Sequence, residues 1–138
     1  GNIEMLKQLS IYAENKKGAL QTMTNALYEA GINIWGSVTN DGAEYGINRM
    51  VVSDPDKAKE VLTERGYLCR FVDVLAVEIE DKPGALNTLL TALLDSNVNV
   101  DYTYLSFNRD SSTPVMILHT ADPEEVEICL KAKGFKMV

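Results

Sequence analysis

The chain has 138 residues, 46% of them hydrophobic and 24% charged, a composition typical of a globular protein that buries a hydrophobic core. Its formal net charge of -7 repels phosphate backbones and anionic lipids, which makes nonspecific binding to nucleic acid or to membranes unfavourable. No apolar run approaches the roughly 20 residues of a membrane-spanning helix and no signal-peptide pattern is present, so we expect a cytoplasmic protein.

The first half of the chain predicts a strand, a helix, two strands, a helix and a strand, in that order. Residues 8–13 alternate as in a strand, and apolar residues then recur at helical spacing from Gly18 to Gly31. The segments "INIWGSV" and "YGINRMVV" flank the turn sequence "NDGAE" and predict a β-hairpin. Asp54, followed directly by proline, predicts the start of a second helix that ends at Gly66.

The second half predicts the same order of elements. Residues 74–79 form a more continuous apolar run that predicts a strand, and a helix is expected between Gly84 and Asn97. The segments "VNVDYTYLSF" and "PVMILHT" predict the second hairpin. Asp122, again followed by proline, predicts the start of a fourth helix that ends at Gly134.

This order predicts an α+β fold made of two ferredoxin-like βαββαβ modules, each an antiparallel sheet with both helices on one face. We expect the first module at residues 1–72 and the second at residues 73–138, with no linker between them. The halves also share sequence, because residues 11–34 and 77–100 align without a gap at nine identical positions in twenty-four. The chain is therefore interpreted as a duplication of one unit.

The repeated stretches "AENKKGALQT" and "IEDKPGALNT" each place a glycine where a strand passes into a helix. Glycine allows a tight turn there, and the first amides of the helix lack intrahelical acceptors, so this position suits a carboxylate ligand. Asn33 and Asn99, at the start of the next strand in each half, offer a donor and an acceptor for an amino acid. A glycine loop alone is more often a simple turn, but its recurrence together with the asparagine favours a binding site.

The stretches "ENKKGAL" with "GINI", and "EDKPGAL" with "NVNV", resemble ACT domains, the regulatory modules of amino-acid biosynthesis enzymes. The resemblance covers essentially the entire chain and is strongest to small stand-alone proteins with two ACT modules. It implies a regulatory sensor that binds a free amino acid at the interface of two modules, which lie side by side as a pseudo-dimer. It also implies that the protein forms a homodimer or associates with a partner enzyme, and that this association transmits the regulatory signal.

The resemblance further implies that the loop at residues 15–20 faces Asn99 and that the loop at residues 81–86 faces Asn33. The predicted ligand-binding residues are Asn15, Lys17, Gly18, Ala19, Leu20, Asn33, Asp81, Pro83, Gly84, Ala85, Leu86 and Asn99. The first loop has Lys17 where the family usually has proline, so the two sites are not expected to be equivalent. The lysine could help to hold a carboxylate or could simply be solvated.

Aromatic residues follow both asparagines, and two readings of them stay open. Trp35, Tyr102 and Tyr104 could form a wall that favours a larger amino acid, or they could be ordinary core residues.

No catalytic constellation is evident, so we expect a protein that is not an enzyme and that carries no cofactor and no metal. Cys69 and Cys129 are isolated in apolar surroundings and are predicted to be buried reduced thiols. His119 interrupts an apolar strand and is predicted to be structural. The alternative function is a ligand-independent adaptor for protein interactions, and an acylphosphatase-like enzyme ranks third, because no arginine loop for phosphate is present.

Overall fold

The computed structural model describes residues 5–42 and 44–138. The chain divides into two compact units, the first being Lys7–Val72 and the second being Asp73–Val138 together with Met5 and Leu6. The module limits of 1–72 and 73–138 remain a prediction, and residues 1–4 lie outside the described residues.

The first unit has the predicted βαββαβ order. Its elements are β1 (Leu6–Glu14), α1 (Ala19–Glu29), β2 (Ile34–Asp41), β3 (Tyr45–Val52), α2 (Pro55–Glu64) and the residues of β4 (Leu68–Glu78) that precede Asp73. The strands lie in the order β2-β3-β1-β4, and β3 pairs antiparallel with both β1 and β2. The predicted hairpin is confirmed, although Ala43 in its turn lies outside the described residues.

The second unit repeats the arrangement. Its elements are the remaining residues of β4, α3 (Ala85–Asp95), β5 (Tyr102–Phe107), β6 (Pro114–His119), α4 (Pro123–Ala132) and β7 (Lys136–Met137). The strand order is β7-β4-β6-β5, with β6 antiparallel to β4 and β5, and β7 antiparallel to β4. Two ferredoxin-like units of the α+β class are thus confirmed.

The predicted helix signals act as expected. The Asp54 carboxylate accepts a hydrogen bond from the Lys57 amide at 3.2 Å, and the Asp122 carboxylate accepts one from the Glu125 amide at 3.5 Å. Proline occupies the first turn of both helices, where its missing amide costs no hydrogen bond. Asn97 has a positive φ of 58° just after α3, a conformation that asparagine tolerates better than most residues.

Each unit has its own hydrophobic core. Met23 and Leu27 of α1 pack over the sheet residues Leu9, Ile11 and Met50 in the first unit. The equivalent core of the second unit consists of Leu75, Val77, Leu89, Leu93, Met116, Leu118, Val126 and Leu130. Because each helix directs its buried apolar side chains toward the core of its unit, both helices are held on one side of the sheet.

The cysteines differ from the prediction in one respect. Both are reduced, and Cys69 is buried with 7% of its surface exposed. Cys129 is only partly buried, so the expectation of burial was wrong for this residue. Its thiol donates a hydrogen bond to the Ser96 hydroxyl at 3.1 Å. Ser96 lies at the carboxyl end of α3, where the apolar pattern of the helix ends.

Candidate functional site

The two strand-to-helix loops have nearly the same backbone conformation. Gly18 has φ 82° and ψ -1°, and Gly84 has φ 86° and ψ -6°, values in the left-handed region that favours glycine. The amide of Ala19 donates to the carbonyl of Lys16 at 3.1 Å, and Ala85 makes the same bond to Lys82 at 3.2 Å. The repeated sequence therefore encodes a repeated loop geometry.

Each loop presents the amino end of a helix. The Gly18 carbonyl accepts from both the amide and the hydroxyl of Thr22, each at 2.9 Å, and Gly84 and Thr88 repeat this pair of bonds. Among the described residues, no side chain caps the amino end of α1 or α3. The Ala19 and Ala85 amides are already bonded within the loops, so the next amides of the first turn and the positive end of the helix dipole remain available to an anion.

An ion pair borders each loop. The ammonium of Lys16 lies 3.7 Å from the Glu14 carboxylate, and that of Lys82 lies 2.7 Å from the Glu80 carboxylate. All four side chains are largely exposed, so these pairs contribute little to stability. They place one positive and one negative group at the rim of each site.

A pocket of about 270 Å³ lies against the first loop, on the helix side of the sheet. Its lining residues are Ala13, Glu14, Asn15, Lys16, Ala19, Leu20, Met23, Thr39, Gly46 and Asn48. Leu20 is 50% exposed at this pocket, although its helical position resembles that of the core residues Met23 and Leu27. The loop therefore opens onto a cavity that reaches β2 and β3.

The second unit has an equivalent pocket of about 600 Å³. Its lining residues are Ile79, Glu80, Asp81, Lys82, Gly84, Ala85, Leu86, Asn87, Leu90, Leu105, Phe107 and Pro114. A further pocket lies on the other side of each loop, next to Arg65 and Tyr67 in the first unit and next to Phe135 and Lys136 in the second. Each loop is thus accessible from two sides.

The structure places the predicted loop residues at these pockets to different degrees. Asn15, Ala19 and Leu20 line the first pocket, and Asp81, Gly84, Ala85 and Leu86 line the second. Lys17, Gly18 and Pro83 are exposed in the loops without lining either pocket. Whether these residues bind a ligand remains a prediction.

The side chain of Asn15 is already engaged within its own unit. Its amide group donates to the Gly42 carbonyl at 3.0 Å, and its backbone amide donates to the Glu44 carbonyl at 2.8 Å. The loop is thereby attached to the β2–β3 hairpin. The oxygen of this side chain is the part that remains for a ligand.

Asn33 and Asn99 are exposed, and neither lines the two pockets just described. The backbone of Asn33 is fixed by Ser53, whose hydroxyl accepts from the Asn33 amide at 2.9 Å. The side-chain amide of Asn99 lies 3.5 Å from the Asp101 carboxylate, and that carboxylate lies 2.9 Å from the His119 imidazole. The predicted contact of each asparagine with the opposite loop remains a prediction.

His119 and the aromatic residues have structural surroundings. The rings of Tyr102 and His119 stack with centroids 4.8 Å apart and planes inclined by 3°. Tyr104 is buried, as a core residue would be, whereas Trp35 is partly buried. Its burial favours the interpretation of Tyr104 as a core residue.

The sequence reasoning missed Thr39 and Asn48. They are register partners on β2 and β3, and Asn48 is only 3% exposed at the pocket. The available signal was a polar residue on β3 at a position whose same-face neighbours two and four residues later, Met50 and Val52, are apolar and buried.

The fold changes the titration of the Cys69 thiol. Burial raises the pKa of the Cys69 thiol above its ordinary value of 9.0, and the hydrogen bond with Thr63 and the charge of Lys59 oppose this shift. Among the described residues, no group of three or more His, Cys, Asp or Glu side chains is arranged to hold a metal ion. In the same part of the chain, no helix is long and apolar enough to cross a membrane.

Comparison with known proteins identifies relatives of the whole chain. The sequence profile of the ACT domain pair family matches residues 4–137. The crystal structure of protein BT0572 from Bacteroides thetaiotaomicron is 30% identical and superposes with a TM-score of 0.87, over 97% of this chain and 92% of that one. No curated protein sequence matches significantly.

More distant solved structures share the fold. The regulatory subunit of aspartate kinase from Thermus thermophilus, in its ligand-free form, is 15% identical with a TM-score of 0.66, over 91% of this chain and 89% of that one. The corresponding subunit from Thermus flavus is 18% identical with a TM-score of 0.61, over 94% and 91% of the two chains.

Proposed function

The chain belongs to the ACT domain pair family, and we propose that it is a non-enzymatic, cytoplasmic regulatory protein that binds a free amino acid where two ACT modules meet. The observation that carries this proposal is the pair of uncapped helix ends behind Gly18 and Gly84, each with the same loop conformation and each bordering a pocket. A structural turn needs no such repetition of unpaired amides beside a cavity.

The charges of an amino acid match the groups at each loop. Its carboxylate would accept hydrogen bonds from the first-turn amides of α1 or α3, where the helix dipole also favours a negative charge. Its ammonium would need an acceptor, which the oxygen of Asn15 offers in the first unit and the carboxylate of Asp81 offers in the second. Lys17 would add a cation to the first loop alone.

We propose that a second module completes each site. In this arrangement Asn99 would face the loop at residues 15–20, and Asn33 would face the loop at residues 81–86. Both side chains are exposed, as a contact with a ligand or another module requires. Sedimentation with and without ligand would decide whether the second module comes from the same chain or from another copy.

The proposed output is a change in how the protein associates. The aspartate kinase structures that share this fold are regulatory subunits, which supports a role in which ligand occupancy acts through a partner enzyme or through self-association. The ligand would have to bind the two association states with different affinities, because equal binding shifts no equilibrium.

Thermal unfolding against the twenty amino acids at millimolar concentration would test the proposal. A ligand that binds only the folded state stabilises it by about 2.7 kcal/mol at a hundredfold excess over its dissociation constant. We expect one or a few amino acids to raise the midpoint in the wild type, and the effect of a ligand of the second loop to be lost in Gly84→Val and Asn33→Ala. A well-folded protein whose midpoint no amino acid raises would contradict the proposal.

Gly31→Val is the matched control for the loop variant. Gly31 has φ +75° and Gly84 has φ +86°, and an added Cβ would meet no atom within 4 Å at either position. Both variants therefore carry similar backbone strain, but Gly31 lines none of the pockets described beside the two loops. If both variants lost the ligand effect equally, general destabilisation rather than a lost binding site would explain the result.

The adaptor alternative is favoured by one observation. Large apolar side chains that line the second pocket are exposed, with Leu105 50% and Phe107 53% accessible. Such a patch is typical of a protein-binding surface. A partner that the chain retains equally with and without amino acids, and loses on Phe107→Ser, would support this function instead.

A further inference from the structure

The two pockets beside the loops occupy equivalent places in the two units. Thr39 is paired with Asn48, and Asn48 with Ile11, in the first sheet. Leu105 is paired with Met116, and Met116 with Val77, in the second. The registers therefore equate Thr39 with Leu105 and Asn48 with Met116.

The first pocket has a polar floor. The side-chain amide of Asn48 donates to the Thr39 hydroxyl at 2.6 Å, and its oxygen accepts from the Ser37 hydroxyl at 3.3 Å. Asn48 is 3% exposed, yet it lines the cavity. A primary amide has two N–H groups and an oxygen with two lone pairs, so one donor and one acceptor remain at the floor.

The second pocket is apolar at the same positions. Leu105 and Phe107 line it together with Leu86 and Leu90, and Met116 on β6 is buried in the adjoining core without lining the pocket. No carbon or thioether group there supplies a strong hydrogen-bond donor or acceptor. The charged rim is common to both pockets, so the difference concerns the end of the ligand that lies away from the loop.

We propose that Thr39 and Asn48 determine specificity, and that the first pocket selects an amino acid with a small, uncharged, hydrogen-bonding side chain. The inference rests on the proposed function and assigns the ligand class of the first loop site. The loop holds the charged backbone of the ligand, and a hydroxyl or carboxamide on its side chain pairs with the remaining groups of Asn48. The second pocket, with Leu105 and Met116 at these positions, accepts apolar side chains.

The discrimination follows from the cost of an unpaired polar group. A hydrocarbon side chain in the first pocket would cover the Asn48 amide without replacing its contacts with water. The free-energy cost of this desolvation exceeds the net gain that one hydrogen bond would provide. A polar side chain in the second pocket would lose its own hydration in the same way.

Exchanging the two positions between the units tests the inference. The variant Thr39→Leu/Asn48→Met gives the first pocket the residues of the second, and Leu105→Thr/Met116→Asn makes the reciprocal change. Titration calorimetry with serine, asparagine and leucine measures affinity and stoichiometry for the wild type and for both variants. We expect the first variant to bind serine or asparagine about tenfold more weakly with no loss of leucine binding. The reciprocal variant should gain a site for the polar ligand.

The single variant Asn48→Leu is a control for the possibility that the double variants misfold. Leucine is close to asparagine in shape, and Ser37 and Thr39 are exposed enough to bond water instead. A melting transition like that of the wild type, together with the same loss of polar ligand, would support the inference.

The contrary outcomes separate the two proposals. If the wild type binds none of the twenty amino acids, the proposed function fails, and this inference fails with it. If the wild type binds but the exchanges leave the order of affinities unchanged, the inference alone is overturned.

Discussion

The side-chain amide of Asn15 donates a 3.0 Å hydrogen bond to the carbonyl oxygen of Gly42, and this bond attaches the first strand-to-helix loop to the β2–β3 hairpin. The Asn15 backbone amide reinforces the attachment at Glu44. The second unit has Asp81 at the equivalent position, and an ionised carboxylate has no donor for such a bond.

Asn15→Asp should therefore destabilise the chain by about 1 kcal/mol, because the donor is lost and the new carboxylate would face a carbonyl oxygen. Urea unfolding followed by circular dichroism would measure the change. The reciprocal variant Asp81→Asn serves as the control and should change stability little. Equal effects of both variants would show that the Gly42 bond does not hold the loop.

Gly18→Ala and Gly84→Ala should each cost about 1 to 2 kcal/mol through backbone strain alone. Both glycines have positive φ, and a Cβ at either position would meet no atom within 4 Å, so no steric clash adds to the cost. The free energies of unfolding of the two variants should agree closely. A much larger loss of stability for one variant would mean that the added methyl group meets neighbouring atoms, in contradiction to the open space seen at both glycines.

Asp54→Ala should cost about 1 kcal/mol, since it removes the side-chain acceptor at the start of α2. Asp122→Ala should cost less, because its bond to the Glu125 amide is longer, at 3.5 Å. Chemical denaturation of the two variants would rank them. Asp54→Asn and Asp122→Asn, which keep an acceptor, should recover most of the loss.

The Cys69 thiol should react slowly with iodoacetamide at pH 8, whereas Cys129, which is only partly buried, should react faster. Burial raises the Cys69 pKa above 9.0, so little thiolate forms at that pH. Peptide mapping by mass spectrometry after a short labelling time would compare the two sites. Faster labelling of Cys69 would contradict its burial.

The same shift predicts a pH dependence of stability. Below pH 9 the thiol is protonated in both states, so its contribution is fully present there. Above pH 9 the unfolded chain releases a proton that the folded chain retains, so stability should fall as pH rises toward the folded pKa. The wild type should lose more stability between pH 8 and 10 than Cys69→Ala, and parallel curves would contradict the shift.

Much of the fold could be predicted because its signals are local. Asp54 and Asp122 cap helices, and Gly18 and Gly84 take up the positive φ that a sharp entry into a helix requires. These outcomes depend on a residue and its near neighbours in the chain. The duplication strengthened them, since each signal appears twice.

The floor of the first pocket could not be predicted in this way. Asn48 becomes part of the site only through its register with Thr39 on a different strand, and register is fixed by the tertiary pairing. Leu20 likewise occupies a core-like helical position but lies at a cavity, because the sheet beneath it ends in small residues, Ala13 and Gly46. The burial of Cys129 was overestimated because an apolar sequence does not show which of its residues lie at the protein surface.

The difference between Asn48 and Met116 would affect how the protein reads concentration. Two sites with the same lining fill together, over a narrow range of ligand concentration. Two sites with unlike floors have different dissociation constants, so one is nearly full while the other is still mostly empty. Under the proposed function, divergence at these positions would let a duplicated chain respond separately to a polar and to an apolar amino acid, where two identical copies would respond to one.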